Sequence, residues 1–337
     1  MYKVAIVGAS GYTGGELLRI LLSHQKVEVA AATSRQFEGN PVHKVHPHLK
    51  GLTDLSFSSS LKSDYDIIFT ATPHGTSMNV VPDLIEEGLR VIDLSGDFRF
   101  EDFSLYEKYY GIEHRAKNLR GIYGLPELYR DKIRDANLVA NPGCFPIGAI
   151  LGILPLVKNR LIEERIIIDS KTGTSGAGAA PSKRTHHPEC GEDVIPYNIT
   201  HHRHMPEIEK ELRKFGSAKV HFTPHLVPIV RGILTTIHAF PKKDFEPEEI
   251  REVYIKFYSG EKFVRILECG EVPKLSAVRG SNYIDIGGFS IDKNDRLVIF
   301  TSIDNLVKGG SGNAVQNMNV MLNIEEDTGL HSIGLHP

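Results

Sequence analysis

The chain is 337 residues long, 41% hydrophobic and 24% charged, with a formal net charge of −3, three cysteines and no tryptophan. That length calls for about two domains of ordinary globular composition and excludes disordered and fibrous architectures. The near-balanced charge offers no nucleic-acid-binding surface, and an odd number of dispersed cysteines makes no disulfide framework, which points to a reducing, cytoplasmic setting.

Met1-Tyr2-Lys3 leads at once into Val4-Ala5-Ile6-Val7, a run too short for a signal-peptide core, and no stretch reaches the ~18 apolar residues of a membrane span. Residues 3–7, 27–33, 66–71, 90–94 and 137–140 read as strands, and Leu17, Leu18, Leu21 and Leu22 mark one face of a helix starting near Thr13. Repeated strand–helix–strand units predict an α/β, Rossmann-type doubly wound parallel sheet over residues 1–145. Residues 146–310 read differently. A helix with Ile147, Ile150, Leu151 and Leu154 on one face precedes a strand at 165–171 and the glycine-rich stretch 173–178. Strands then follow at 219–226, 229–240, 262–268, 284–291 and 296–303, with a helix near 246–259. Strands in succession predict an α+β domain with a mostly antiparallel sheet. A last helix, about 311–323, follows Gly309-Gly310-Ser311-Gly312.

Gly8-Ala9-Ser10-Gly11-Tyr12-Thr13-Gly14-Gly15 stands directly after the first strand and opens a helix. Glycine there lets the backbone approach a pyrophosphate, and the helix N-terminus offers N–H groups and a positive dipole end. The second strand ends Ala32-Thr33-Ser34-Arg35, with no carboxylate for a ribose 2′-hydroxyl. Hydroxyls and a guanidinium suit a 2′-phosphate, so NADP is the expected cofactor.

Cys144, in Asn141-Pro142-Gly143-Cys144-Phe145-Pro146, lies where a helix begins, and a helix dipole favours its thiolate. Asn141 and backbone N–H groups are candidates to hold an oxyanion. A thiolate beside a nicotinamide site points to attack on an activated acyl group, with the thioester then reduced to an aldehyde. Cys190 and Cys269 read as structural, with Cys190 left open. Sixteen histidines show neither H-E-x-x-H nor standard zinc spacing, so no metal is expected. His204 is the candidate acid/base, with Glu207 three residues on to support it; spacing alone does not choose His204 over His202. Arg99, in Ser95-Gly96-Asp97-Phe98-Arg99, and Lys183 and Arg184 are candidate anion handles, each with a solvated charge as the alternative.

Taken together, GASGYTGGEL (8–17), TSR (33–35), DLSGDFR (93–99), YGLPEL (123–128), NPGC (141–144), GTSGAG (173–178), HRHMPEI (202–208), RGIL (231–234) and DNLVKGGSGNAVQNMN (304–319) resemble the N-acetyl-γ-glutamyl-phosphate reductases, in the wider aspartate-semialdehyde dehydrogenase-like group. The resemblance runs nearly end to end and implies NADPH-dependent reduction of an acyl phosphate to a semialdehyde with release of phosphate, in arginine biosynthesis. It implies Cys144 as nucleophile, His204 as acid/base and Glu207 beside it. It places Gly8, Ser10, Gly11, Tyr12, Thr13 and Gly14 at the cofactor, Ser34 and Arg35 at its 2′-phosphate, and Asn313 on the nicotinamide side. Ser175 and Gly176 join the cofactor set, and Arg99, Asn141 and Lys183 the substrate set. The last segment, 311–337, is implied to pack back on the cofactor domain, and the protein to form a homodimer or homotetramer. A sister group, acting on aminoadipyl or glutamyl phosphate linked to a carrier protein, shares the stretch at 34–47 and the ending Gly334-Leu335-His336-Pro337. The NPGC and SGDFR segments suit the arginine enzyme.

Overall fold

The computed structural model describes residues 1–61 and 64–337, which divide into two compact units: Met1–Pro142 with Gly310–His331, and Gly143–Gly309 with Ser332–Pro337. The last six residues group with the second unit, not with the segment 311–331 that precedes them. There the Leu335 N–H donates to the Arg279 carbonyl (2.8 Å), and the Arg279 guanidinium donates back to the Leu335 (3.0 Å) and Pro337 (2.5 Å) carbonyls.

In chain order the first unit runs β1 (Tyr2–Val7), α1 (Tyr12–Leu21), β2 (Val27–Thr33), β3 (Ile67–Thr70), α2 (Val81–Glu86), β4 (Val91–Asp93), α3 (Phe103–Tyr110), β5 (Ile122–Tyr123), α4 (Pro126–Arg134) and β6 (Leu138–Ala140). All strand pairs are parallel, in the order β2-β1-β3-β4-β6-β5. β3, β4 and β6 are buried at every position, as strands covered on both faces must be. The sequence reading has no counterpart for β5. Two residues between Gly121 and Gly124 carry too little pattern to reveal a strand.

The second unit runs α5 (Cys144–Lys158), β7 (Arg165–Thr172), α6 (His187–Cys190), β8 (Ile195–Pro196), α7 (His204–Arg213), β9 (Lys219–Leu226), β10 (Ile233–Ala239), α8 (Pro247–Phe257), β11 (Val264–Ile266), α9 (Leu275–Val278), β12 (Ile284–Ile291) and β13 (Leu297–Ile303). Its sheet has the order β11-β12-β13-β10-β7-β9-β8. The sheet is mixed: β7–β9 and β11–β12 are parallel and the other pairs antiparallel. The parallel pairs arise because α7 and α9 supply the crossovers that parallel neighbours require. The final helix, α10 (Gly312–Met321), belongs to the first unit and packs against α1 and α4.

α5 positions the candidate nucleophile, and it is buried all round from Phe145 to Val157, not on one face. A Cβ on Gly152 would lie 2.6 Å from Ile237 Cδ1, so glycine lets α5 lie close on β10 and β13. Pro155 has no N–H for the Leu151 carbonyl four residues earlier, and the Tyr258 hydroxyl donates to that carbonyl instead, at 2.5 Å. The Tyr254 hydroxyl also donates to the Gly152 carbonyl (2.6 Å) and the Thr301 hydroxyl to that of Gly148 (3.2 Å). The helix is thus pinned along its length by hydroxyls from α8, from Tyr258 just after it, and from β13.

Candidate active site

In the first unit the chain leaves β1 through Gly8, whose φ of +85° is the left-handed region open to glycine. A Cβ on Gly14 would sit 2.5 Å from the Ala9 Cα, so the start of α1 lies directly on the loop, while around Gly11 nothing approaches within 4 Å. α1 has no side-chain cap and no acidic residue in its first turn. This is a backbone cradle with an uncapped positive end, open on one side, and it fits a pyrophosphate. At the end of β2 the Ser34 hydroxyl donates to the Ser10 hydroxyl (3.0 Å), linking the 2′-phosphate candidates to the cradle. Arg35 is exposed and forms no ion pair among the described residues; Tyr12 is exposed too. Dinucleotide binding with a 2′-phosphate therefore fits the residues present.

Beyond β4, the fully buried Asp97 accepts from the Gly75 (2.8 Å) and Met78 (3.0 Å) amides and from the Tyr106 hydroxyl (2.8 Å). Asp93, also buried, accepts from Thr70 and Ser95, both at 2.7 Å; burial and then the nearby Asp97 push its carboxyl above the usual range. Arg99 is buried and donates to the Asn141 (2.8 Å) and Leu94 (3.0 Å) carbonyls, so it braces the ends of β4 and β6. Asn141 is equally committed. Its amide nitrogen donates to the Gly310 carbonyl (3.2 Å), and its Oδ1 accepts from Asn313 (2.8 Å) and Asn317 (3.1 Å). Asn313 and Asn317 also both donate to the Gly124 carbonyl, at 2.7 and 2.8 Å. This asparagine cluster ties α10 to the ends of β5 and β6.

In the second unit Cys144 is the first residue of α5 and half-buried. Its N-cap, Gly143, has no side chain to cap the helix, and no acidic residue lies in the first turn. The dipole end therefore acts on the thiol, favouring thiolate. α7 puts His204 and Glu207 on one face, three residues apart. The buried Glu207 carboxylate accepts the Gly143 N–H at 2.8 Å. The His204 ring lies over Gly143, so that a Cβ there would fall 2.5 Å from Nε2. Gly309 closes another side; a Cβ on it would meet the Cys144 Cβ at 3.1 Å.

His202 occupies a different environment. Its ring packs among Phe145, Tyr197, His204 and Phe222, and its Nδ1 accepts the His204 N–H at 3.1 Å, holding the start of α7. Burial, then the charges of Arg203, Arg184 and His201, lower its pKa to about 3, so it stays neutral at any physiological pH. His202 thus supports the start of α7 as a neutral acceptor, whereas the His204 ring lies over Gly143. Tyr197 is half-buried with the Arg184 guanidinium 4.6 Å above its ring, and burial together with the neighbouring Cys144 pushes its phenol well above the usual range. In the 173–178 loop, Ser175 is buried and its Oγ accepts from Asn305 at 2.9 Å, while Gly176 has no atom closer than 3.5 Å to its missing Cβ. Lys183 is exposed, in a one-turn 3-10 helix that Ser182 caps. Among the described residues no cluster of three or more His, Cys, Asp or Glu is arranged to hold a metal, and no helix is long and apolar enough to cross a membrane.

Comparison with known proteins decides the family. The semialdehyde dehydrogenase NAD binding domain matches residues 3–136, and the semialdehyde dehydrogenase dimerisation domain residues 144–305. Proteins called N-acetyl-gamma-glutamyl-phosphate reductase in Methanocaldococcus jannaschii and Methanobrevibacter smithii are 60% and 57% identical, each over the whole of both chains. The chain belongs to the N-acetyl-gamma-glutamyl-phosphate reductase family. Aspartate semialdehyde dehydrogenase II of Vibrio cholerae, solved with ASA, shares the fold at 19% identity and a TM-score of 0.75, over 96% of this chain and 98% of that one. The Candida albicans aspartate semialdehyde dehydrogenase, solved with NADP, does so at 14% identity and 0.72, over the same shares.

Within this reductase family chain, several organising residues escape a reading of motifs. Asp97 carries the β4 loop, yet from sequence Arg99 is the residue that draws notice. Asp304 accepts from the Gly280 (2.7 Å) and Leu306 (2.8 Å) amides and fixes the turn leading to Gly309. Tyr197 carries no motif at all. Buried acceptors with distant partners leave no spacing signal; only the local density of Gly, Asp and Asn hints at them.

Proposed function

We propose that the protein reduces N-acetyl-γ-glutamyl phosphate to N-acetylglutamate semialdehyde with NADPH, releasing phosphate, through a thioester on Cys144. The observation that carries this is the Cys144 thiol at the uncapped start of α5, with the His204 ring over Gly143 and Glu207 fixing the Gly143 N–H. The Cys144 thiolate attacks the acyl carbon, and the carbon–oxygen bond to phosphate breaks with loss of inorganic phosphate. NADPH, when bound, supplies the hydride that makes the thioester carbonyl carbon tetrahedral. His204 gives a proton to the resulting oxygen and takes it back as the carbon–sulfur bond breaks, freeing aldehyde and thiolate. Glu207 is a positioning residue, since it holds the backbone that bears the thiol.

Gly8, Ser10, Gly11, Tyr12, Thr13 and Gly14 form the pyrophosphate cradle, with Ser34 and Arg35 at the 2′-phosphate. Ser175, Gly176 and Asn313 are assigned to the cofactor side and Lys183 to the substrate. With their side chains engaged inside the first unit, Arg99 and Asn141 support the substrate site through the backbone they brace. The domain name matched by residues 144–305 supports assembly as a homodimer or homotetramer through the second unit, and the biosynthetic relatives support a cytoplasmic location. The test is oxidation of N-acetylglutamate semialdehyde by NADP with and without phosphate, run beside the carrier-linked semialdehyde. Phosphate-dependent turnover of the free compound is expected. Turnover without phosphate, or of the carrier-linked compound alone, overturns the proposal.

A further inference from the structure

After β2 the chain makes an excursion, residues 35–57, before returning to the sheet edge, where the Ser34 and Ser58 amides donate to the Ser58 and Ala32 carbonyls at 2.9 and 3.0 Å. None of the functional assignments above uses its three histidines, His43, His46 and His48. One of those histidines, His46, is buried, and its Nε2 lies 2.8 Å from the Ala9 carbonyl oxygen, in the middle of the dinucleotide loop. Only an N–H can serve a carbonyl, so Nε2 carries the proton and donates. The ring lies flat against α1 where Gly15 has no side chain: a Cβ there would be 2.6 Å from both Cε1 and Nδ1. His46 itself is held by its N–H to the Val42 carbonyl (2.9 Å) and by the edge of Phe57, 6.3 Å between ring centres.

Ala9 is therefore fixed on three sides. Its N–H donates to the Thr33 carbonyl (2.9 Å), its Cα abuts Gly14, and its carbonyl is taken by His46. In a planar trans peptide the carbonyl and the following N–H point in opposite directions. With the Ala9 carbonyl turned to His46, the Ser10 N–H points away from His46, and it donates to no acceptor among the described residues. We infer that His46 is a positioning residue for the cofactor: its Nε2–H locks the Ala9–Ser10 peptide so that the Ser10 amide is presented to the pyrophosphate. Burial lowers the His46 pKa, which keeps the imidazole neutral and adds no charge of its own beneath the anion.

This rests on the cofactor assignment above, and calorimetric titration separates the two. NADPH carries the pyrophosphate; adenosine 2′-monophosphate carries only the end that Ser34 and Arg35 would hold. His46→Phe keeps a ring against Gly15 but lacks the donor, whereas His46→Gln restores an N–H. The Phe variant is expected to bind NADPH about tenfold more weakly, the scale of one hydrogen bond to an anion, with adenosine 2′-monophosphate affinity changed less than about twofold. The Gln variant is expected to recover most of the loss. Equal weakening of both ligands, or an unchanged NADPH affinity in the Phe variant, overturns the inference alone. Wild-type protein that binds neither ligand overturns the cofactor assignment and this inference with it.

Discussion

Four helix starts in this molecule divide into two kinds. α3 is capped by Asp102, which accepts the Ser104 N–H at 2.9 Å, and α8 begins with a reciprocal box between Glu246 and Glu249. α1 and α5 have glycine at the cap position, no capping side chain and no acidic residue in the first turn. Glycine at the cap costs only about a few tenths of a kcal/mol relative to a side-chain cap, so these two helices leave their N–H groups free at little loss of stability. They use the free dipole end differently. α1 offers bare backbone to an anion brought from outside, whereas α5 carries a thiol on which the same field favours a negative charge.

The largest effect expected is on α5. Cys144→Ala should lower turnover by at least about 10³-fold while leaving NADPH affinity at the wild-type value, measured by steady-state kinetics and calorimetry. A parallel loss of NADPH affinity would erase the division between the two helices. His204→Asn should lower kcat by about 10²–10⁴-fold, the range for a positioned acid/base. Gly143→Ala sharpens the same point without touching a reacting group. Its φ of −67° and ψ of 155° are open to alanine, so the backbone tolerates the change. The added methyl would nevertheless fall 2.5 Å from His204 Nε2 and must displace the ring. A loss of about 10²-fold in kcat is expected, and wild-type kcat would show that the ring is not working from that position.

Much of this was legible in the sequence, and for a physical reason. The glycine loop, Cys144 before Pro146, and His204 with Glu207 at helical spacing are local patterns, set by backbone sterics and the 3.6-residue period. The strands at 219–226 and 284–291 were readable to the residue because their alternation or apolar content is continuous. What could not be read was long-range pairing. The commitment of Asn141 to Asn313 and Asn317 spans 172 and 176 residues, and the Glu207 bond to Gly143 spans 64. Whether an arginine is a free clamp or a brace, as with Arg99, depends on which carbonyls the fold brings to it. His202 and His204 are both buried, and what differs is their surroundings: His202 sits among Phe145, Tyr197 and Phe222, while the His204 ring lies over Gly143, which spacing does not disclose.

A smaller effect belongs to α1's side of the comparison. Arg35→Ala should weaken NADPH by about tenfold and NADH hardly at all, and the difference should shrink as salt is raised, because Arg35 is exposed. Equal losses for the two cofactors would remove Arg35 from the 2′-phosphate.

The smallest change in turnover is expected at His202, where stability is the more telling readout. Its folded pKa lies at about 3 against 6.5 for a free imidazole, so between those values the unfolded chain binds a proton that the folded chain does not. Stability therefore falls as pH drops from about 6.5 towards 3, and is fully present above that window. In His202→Phe this contribution is gone, while the aromatic contacts to Phe145 and Phe222 are kept. Denaturant unfolding at several pH values should show the variant losing less stability on acidification than the wild type; parallel curves would mean His202 is already charged in the fold. The acidic limb of the kcat/KM profile should stay in place in His202→Phe, because a group that titrates at about 3 contributes no limb near neutral pH.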